Sequence, residues 1–194
     1  MELIPACQYI LDELTRNLSP QLTYHCVQHT LDVVAQSARL AAAEGITDPT
    51  ESAILQTAAY YHDAGFIRTY DEHEEEGCRM AQAILPGFGY SQAQIEAVCK
   101  LIRVTKIPQS PESLAEQIIC DADLDYLGRD DYPVISQTLY TEWIAYKKLP
   151  DPARWLPVQV SFLGNHRYFT QTNQLLREPV KQQALEKIKA LLAI

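Results

Sequence analysis

Histidines and aspartates cluster at three separate places in the chain. Tyr24-His25-Cys26-Val27-Gln28-His29 sets two imidazoles four residues apart, which on a helix places both on one face. His62-Asp63 closes an apolar-periodic stretch just before Gly65, where side chains can turn into a cleft. Asp121-Ala122-Asp123-Leu124-Asp125 puts carboxylates on a stretch that is otherwise apolar. Imidazole and carboxylate form a borderline-to-hard ligand set, suited to a first-row divalent ion that keeps exchangeable water positions. Burying two such carboxylates without a partner would cost several kcal/mol.

Helices must deliver these groups. The periodicity predicts a first helix over Glu2–Leu18 and a second over Thr23–Glu44, stopped by Gly45. Asp48-Pro49-Thr50-Glu51 predicts the start of a third, which reaches His62-Asp63. Asp71 with Glu74 predicts the cap of a fourth that Pro86-Gly87 closes, and Ser91 with Gln94 a fifth ending near Arg103. Ser110-Pro111 predicts the next, stopping around Gly128, followed by helices over Asp131–Lys147, Pro152–Phe169 and Pro179–Ala193. No period-two run bounded by a hairpin turn occurs. The expected fold is all-α: a compact helical bundle of one domain over 1–194, with a core at approximately 22–128 and a helical extension over 129–194.

The 194 residues are enough for one well-buried core. A net charge of -9 leaves no broad basic footprint, so nucleic-acid polymer is not an expected partner. The five cysteines are spread singly with no CxxC pair, which reads as buried free thiols in a reducing compartment; Cys26 and Cys99 are expected inside apolar helices. The start Met1-Glu2-Leu3-Ile4-Pro5 lacks a signal-peptide pattern, and no apolar run has the length of a membrane helix. The expectation is a cytoplasmic protein with no membrane partner, open to homo-oligomer formation.

The ordered words Tyr24-His25 before His29, Tyr61-His62-Asp63-Ala64-Gly65, and Asp121-Ala122-Asp123 resemble the HD-domain superfamily of metal-dependent phosphohydrolases. The resemblance spans approximately Leu22 to Gly128. It implies an all-α catalytic core in which His29, His62, Asp63 and Asp123 hold a divalent metal ion, with Mn, Fe, Co, Ni, Zn and Mg equally admissible. By similarity to the cyclic-nucleotide phosphodiesterase branch, His25 is the expected general acid, while Asp63 or Asp123 orients the attacking hydroxide. HD branches with two metals carry extra histidines between the His-Asp pair and the last Asp. This chain offers His73 alone as an extra ligand, and Leu101-Ile102-Arg103-Val104-Thr105 fills the second position, so one firmly held ion is expected.

The implied activity is hydrolysis of a small phosphomonoester or phosphodiester, nucleotide-like in size, by metal-activated water. A nucleotide-sensing module without turnover, and a di-iron oxygenase similar to the inositol oxygenase branch, are the competing expectations. Arg103, Lys106 and Arg68 are the candidate phosphate-binding cations; as surface residues they would otherwise form ion pairs of little energetic weight. The acidic run Asp71-Glu72-His73-Glu74-Glu75-Glu76 also suits a helix N-terminus, where carboxylates complement the macrodipole. Asp121 and Asp125 are expected to support the ligands or cap backbone groups. Trp143, Tyr146 and Trp155 are expected in the core. The word Phe162-Leu163-Gly164-Asn165-His166-Arg167-Tyr168-Phe169-Thr170 carries no assigned role.

Overall fold

The structure, a computed structural model, describes residues 1–192. Its helices are, in order, α1 (Leu3–Asn17), α2 (Val27–Ala43), α3 (Pro49–Tyr61), α4 (His73–Ile84), α5 (Gln92–Arg103), α6 (Leu114–Asp123), α7 (Tyr132–Ala145), α8 (Trp155–Asn165), α9 (Gln171–Leu176) and α10 (Glu178–Leu192). No strand occurs among the described residues, as the all-α expectation requires. No described helix is long and apolar enough to cross a membrane.

Side-chain caps set several of these starts. Asp48 accepts the Glu51 N–H with Pro49 at the first helical position. Ser91 and Gln94 form a reciprocal capping box. Elsewhere the expectations shift. The box that opens α6 is Ser113 with Glu116, not Ser110-Pro111. Asp71 does not cap α4: the N-cap is Glu72, held at φ 56° with no side-chain cap bond. Residues 23–26 form a turn and α2 begins only at Val27, after an extended Cys26. Cys26 is therefore a half-buried cap residue, while Cys7, Cys78, Cys99 and Cys120 are buried; all five are free thiols. The expected 152–169 helix divides into a 3-10 turn at Pro152–Arg154, α8, and an extended stretch before α9. Ala193 lies outside the described residues.

One core cluster joins α1 to α6, with Ile10, Leu55, Tyr61, Ile102, Ile118 and Ile119 all essentially sealed from solvent. Each such side chain contributes roughly 1.5–3 kcal/mol of burial free energy. A second cluster joins the end of α6 to the C-terminal helices through Leu124, Leu127, Leu163, Tyr168 and Leu185. Directed polar bonds fix that junction. Asp121 accepts the Phe169 and Thr170 N–H groups, each at 2.9 Å, and the Thr170 hydroxyl at 2.6 Å. Asp125 Oδ1 accepts from Arg39 at 2.8 Å, Arg177 at 3.0 Å and Asn173 at 3.1 Å. The Tyr168 hydroxyl donates to the Leu124 and Asp125 carbonyls. So Asp121 and Asp125 tie the extension to the very helix that carries Asp123.

Candidate metal centre

α2 carries His29 two residues into its first turn, and α3 ends at Tyr61 so that His62 is its C-cap and Asp63 follows. Asp123 is the last residue of α6. These four side chains converge. His29 Nε2 lies 3.2 Å from Asp123 Oδ1, 3.4 Å from His62 Nε2 and 3.5 Å from Asp63 Oδ2. His62 Nε2 lies 3.2 Å from Asp63 Oδ2 and 3.7 Å from Asp123 Oδ1. Donor atoms each about 2.1 Å from one ion sit roughly 3.0–3.4 Å apart, so His29, His62 and Asp123 are spaced to share a cation, while Asp63 touches the two imidazoles without joining that group.

Two further observations fit a cation. His62 Nδ1 donates to the Ala59 carbonyl at 2.8 Å, which leaves the Nε2 lone pair facing the cluster. Asp63 Oδ2 is buried and accepts no hydrogen bond, an orphan acceptor that a cation would satisfy. Burial pulls the His62 imidazole down, yet Asp63 first and then Asp123 outweigh it and raise the pKa to about 9. Burial pushes Asp63 up, and the neighbouring imidazoles of His62, His25 and His29 outweigh that and hold it well below the usual carboxylate range. Without an ion, protons supply the positive charge these carboxylates demand.

The family model for the HD domain matches residues 26–125. The chain belongs to the HD-domain family. HD domains are typically metal-dependent hydrolases that bind divalent metals, and His29, His62 and Asp123 here form a group able to hold one. No curated protein and no solved structure matches the chain.

His25, one residue before the HD match, does not share a helical face with His29, as the four-residue spacing predicted. It sits in the turn before α2, because buried Glu142 takes the Tyr24 and His25 N–H groups at 2.9 and 3.0 Å. The same carboxylate receives His25 Nδ1 and the Tyr70 hydroxyl at 2.9 Å. Burial lowers the His25 pKa, but the Glu142 hydrogen bond, with the fields of Asp63, Glu142 and Asp123, raises it on balance above 6.5. Glu142 escaped the sequence reading; only the fold shows what it touches.

His73 reaches the site from the first residue of α4, with Nε2 3.5 Å from Asp63 Oδ1, the oxygen turned away from His29. Gly65 makes this possible. A Cβ there would lie 1.9 Å from the His73 carbonyl oxygen, so only glycine lets the α4 start close onto the turn after Asp63. Phe66, also unforeseen, stacks on His25 at 4.1 Å and on His73 at 4.0 Å. Gln109 donates to Asp123 Oδ2 at 3.4 Å.

The three candidate phosphate-binding cations all pair with glutamates at the N-cap or in the first turn of α4. Arg103 holds Glu75, Arg68 holds Glu76, and Lys106 holds Glu72. Lys106 lines the cavity over the ligand cluster; Arg103 and Arg68 do not. Trp143 and Trp155, expected in the core, are half-buried and line that cavity too. Tyr146 packs on Tyr70 at the same side. Of the C-terminal word, Phe162 lines the cavity while Tyr168, Phe169 and Thr170 dock the extension.

Proposed function

We propose that the chain hydrolyses a small, nucleotide-like phosphomonoester or phosphodiester. The observation that carries this reading is the convergence of His29, His62 and Asp123, with Asp63 against both imidazoles and with His25, held by buried Glu142, lining the same cavity. A divalent ion held by His29, His62 and Asp123, with Asp63 beside them, would lower the pKa of a coordinated water and neutralise phosphoryl charge. Asp63 or Asp123 orients the nucleophilic water by accepting a hydrogen bond from it, and takes its proton as it attacks. His25, kept protonated by Glu142, donates through Nε2 to the departing alkoxide oxygen. Phe66 holds the imidazole plane by stacking, and Lys106 at the rim adds positive charge near a bound phosphate.

The test is phosphate release from phosphomonoesters, nucleotides and cyclic dinucleotides after reconstitution with single divalent metals, beside a His62→Ala control. Release by the wild type alone supports the proposal. Release that survives in the control refutes the site. A His25→Ala variant that keeps its metal and loses hydrolysis supports the enzyme. No turnover of any ester, in the variant or the wild type, favours a nucleotide-sensing module, and oxygen consumption with iron favours an oxygenase.

A further inference from the structure

The cavity over the ligand cluster measures about 520 Å³ and extends well beyond it. Its far half lies against residues after 125, outside the HD match: Tyr132, Leu139 and Trp143 on α7, and Trp155, Gln159 and Phe162 on α8. Trp143 and Trp155 stand edge to face at 5.8 Å and 76°, and both remain half-exposed. Aromatic rings that line a cavity and touch one another only edge to face still present apolar surface to whatever enters.

One polar group interrupts that wall. Gln159 is buried, its Oε1 accepts the Tyr132 hydroxyl at 2.8 Å, and its carboxamide nitrogen has no partner among the described residues. A hydrocarbon tail would leave those two N–H donors unanswered, at a cost. A flat ring with heteroatom acceptors would satisfy them. Charge sets the other limit. Five carboxylates and two lysines line the cavity, and both lysines are already paired, Lys106 with Glu72 at 2.6 Å and Lys148 with Asp71 at 2.5 Å. No arginine lines it, and none of the residues from α7 and α8 is charged. With Lys106 at the rim serving one phosphate and Lys148 held by Asp71, a second or third phosphate would find no further cation to receive it.

We propose that the α7–α8 half of the cavity seats a flat, uncharged, heteroatom-bearing ring carried on a single phosphate, with Trp143 and Trp155 against the ring and Gln159 on its edge. The phosphate end of this proposal rests on the phosphoester reading above; the ring seat stands by itself. The chain has two tryptophans, and both line this space, so tryptophan emission reports it alone.

The test titrates the full chain, with Mg²⁺ present, with adenosine, uridine, their monophosphates and triphosphates, and ribose 5-phosphate. Saturable quenching by a nucleoside, about tenfold tighter binding of its monophosphate, and no further gain for the triphosphate are the expected results. Gln159→Leu should weaken nucleoside binding about tenfold while the far-UV spectrum stays native. No quenching by either nucleoside, or ribose 5-phosphate binding as tightly as the nucleoside monophosphates, overturns the seat. Phosphate release is read in the same samples and in parallel ones with each other divalent ion. Quenching without release under any divalent ion removes the hydrolase reading and leaves the seat, whereas equal release from ribose 5-phosphate without quenching removes the seat and leaves the hydrolase.

Discussion

Glu142 meets His25 across 117 residues of chain, and its second oxygen takes the backbone N–H groups of Tyr24 and His25. One buried carboxylate thus does two things. It holds the 24–26 segment out of the helix, and it keeps a proton on the imidazole that faces the cavity. The extension beyond residue 125 supplies it, so the catalytic proposal depends on a part of the chain that the HD match does not cover.

The pH profile tests that dependence. His25 has a raised pKa, so the donor form is complete below 6.5 and is lost only as pH climbs through the higher folded value. The alkaline limb of kcat/KM should therefore lie above pH 6.5. Replacing Glu142 by Gln removes one of the charges that offset burial, leaving those of Asp63 and Asp123, so the limb should move to lower pH, with kcat down about 10–100-fold. The pair's stabilising contribution is bounded on both sides, lost as pH rises through the raised His25 value and lost as it falls through the lowered Glu142 value. A Glu142→Gln limb that stays in place would rule out His25 as the donor.

Gly65→Ala should be severe although the new group is one methyl. The clash at 1.9 Å is with the His73 backbone, which cannot swing aside as a side-chain tip would. The cost should reach about 3 kcal/mol, a fall in melting temperature of roughly 6–12 °C for a chain of this size. Gly87→Ala, where a Cβ meets nothing within 4 Å, is the control and should melt within about 2 °C of wild type. Equal melting of the two variants would mean that α4 does not close on Gly65.

The ligand words were legible because metal sites need particular side-chain types, and the chain has few histidines to spend on anything else. The support was not. Glu142 is one of 25 acidic residues and sits in an ordinary helical pattern, so nothing local distinguishes it from a solvated carboxylate. His25 at four residues from His29 obeys helical spacing, yet the tertiary bond to Glu142 overrides it. Trp143 and Trp155 look like core by spacing, and only the packing of α7 and α8 shows that they face a cavity. Arg103 and Arg68 sat at plausible distances in sequence from the ligands, but the first-turn glutamates of α4 claim them.

Asp125 should matter to stability far more than its neighbours on the surface. It is fully buried and answers Arg39, Arg177 and Asn173 through one oxygen, with Arg129 3.5 Å from the other. Asp125→Ala would strand these cations, at about 3–5 kcal/mol, seen as a melting-temperature fall of roughly 6–20 °C. Asp12→Ala breaks an exposed pair with Arg16 and should change stability by less than about 0.5 kcal/mol. Urea titration of both variants decides it, and similar midpoints would show that the arginines reach water instead.

Metal retention tests the centre without any substrate. Asp123 ends α6, whereas His29 and His62-Asp63 come from α2 and the end of α3, so an ion held among them links three helices. An ion present at about 100 times its dissociation constant stabilises by roughly 2.7 kcal/mol, or about 5–11 °C for this length. Chelation should lower the melting temperature of the wild type by that amount and leave Asp123→Ala unchanged, because the variant has lost an inward carboxylate and retains little metal. Elemental analysis of purified protein gives the independent reading. Full metal occupancy in Asp123→Ala, or a wild-type melt indifferent to chelator, would show that the four side chains meet for some other reason.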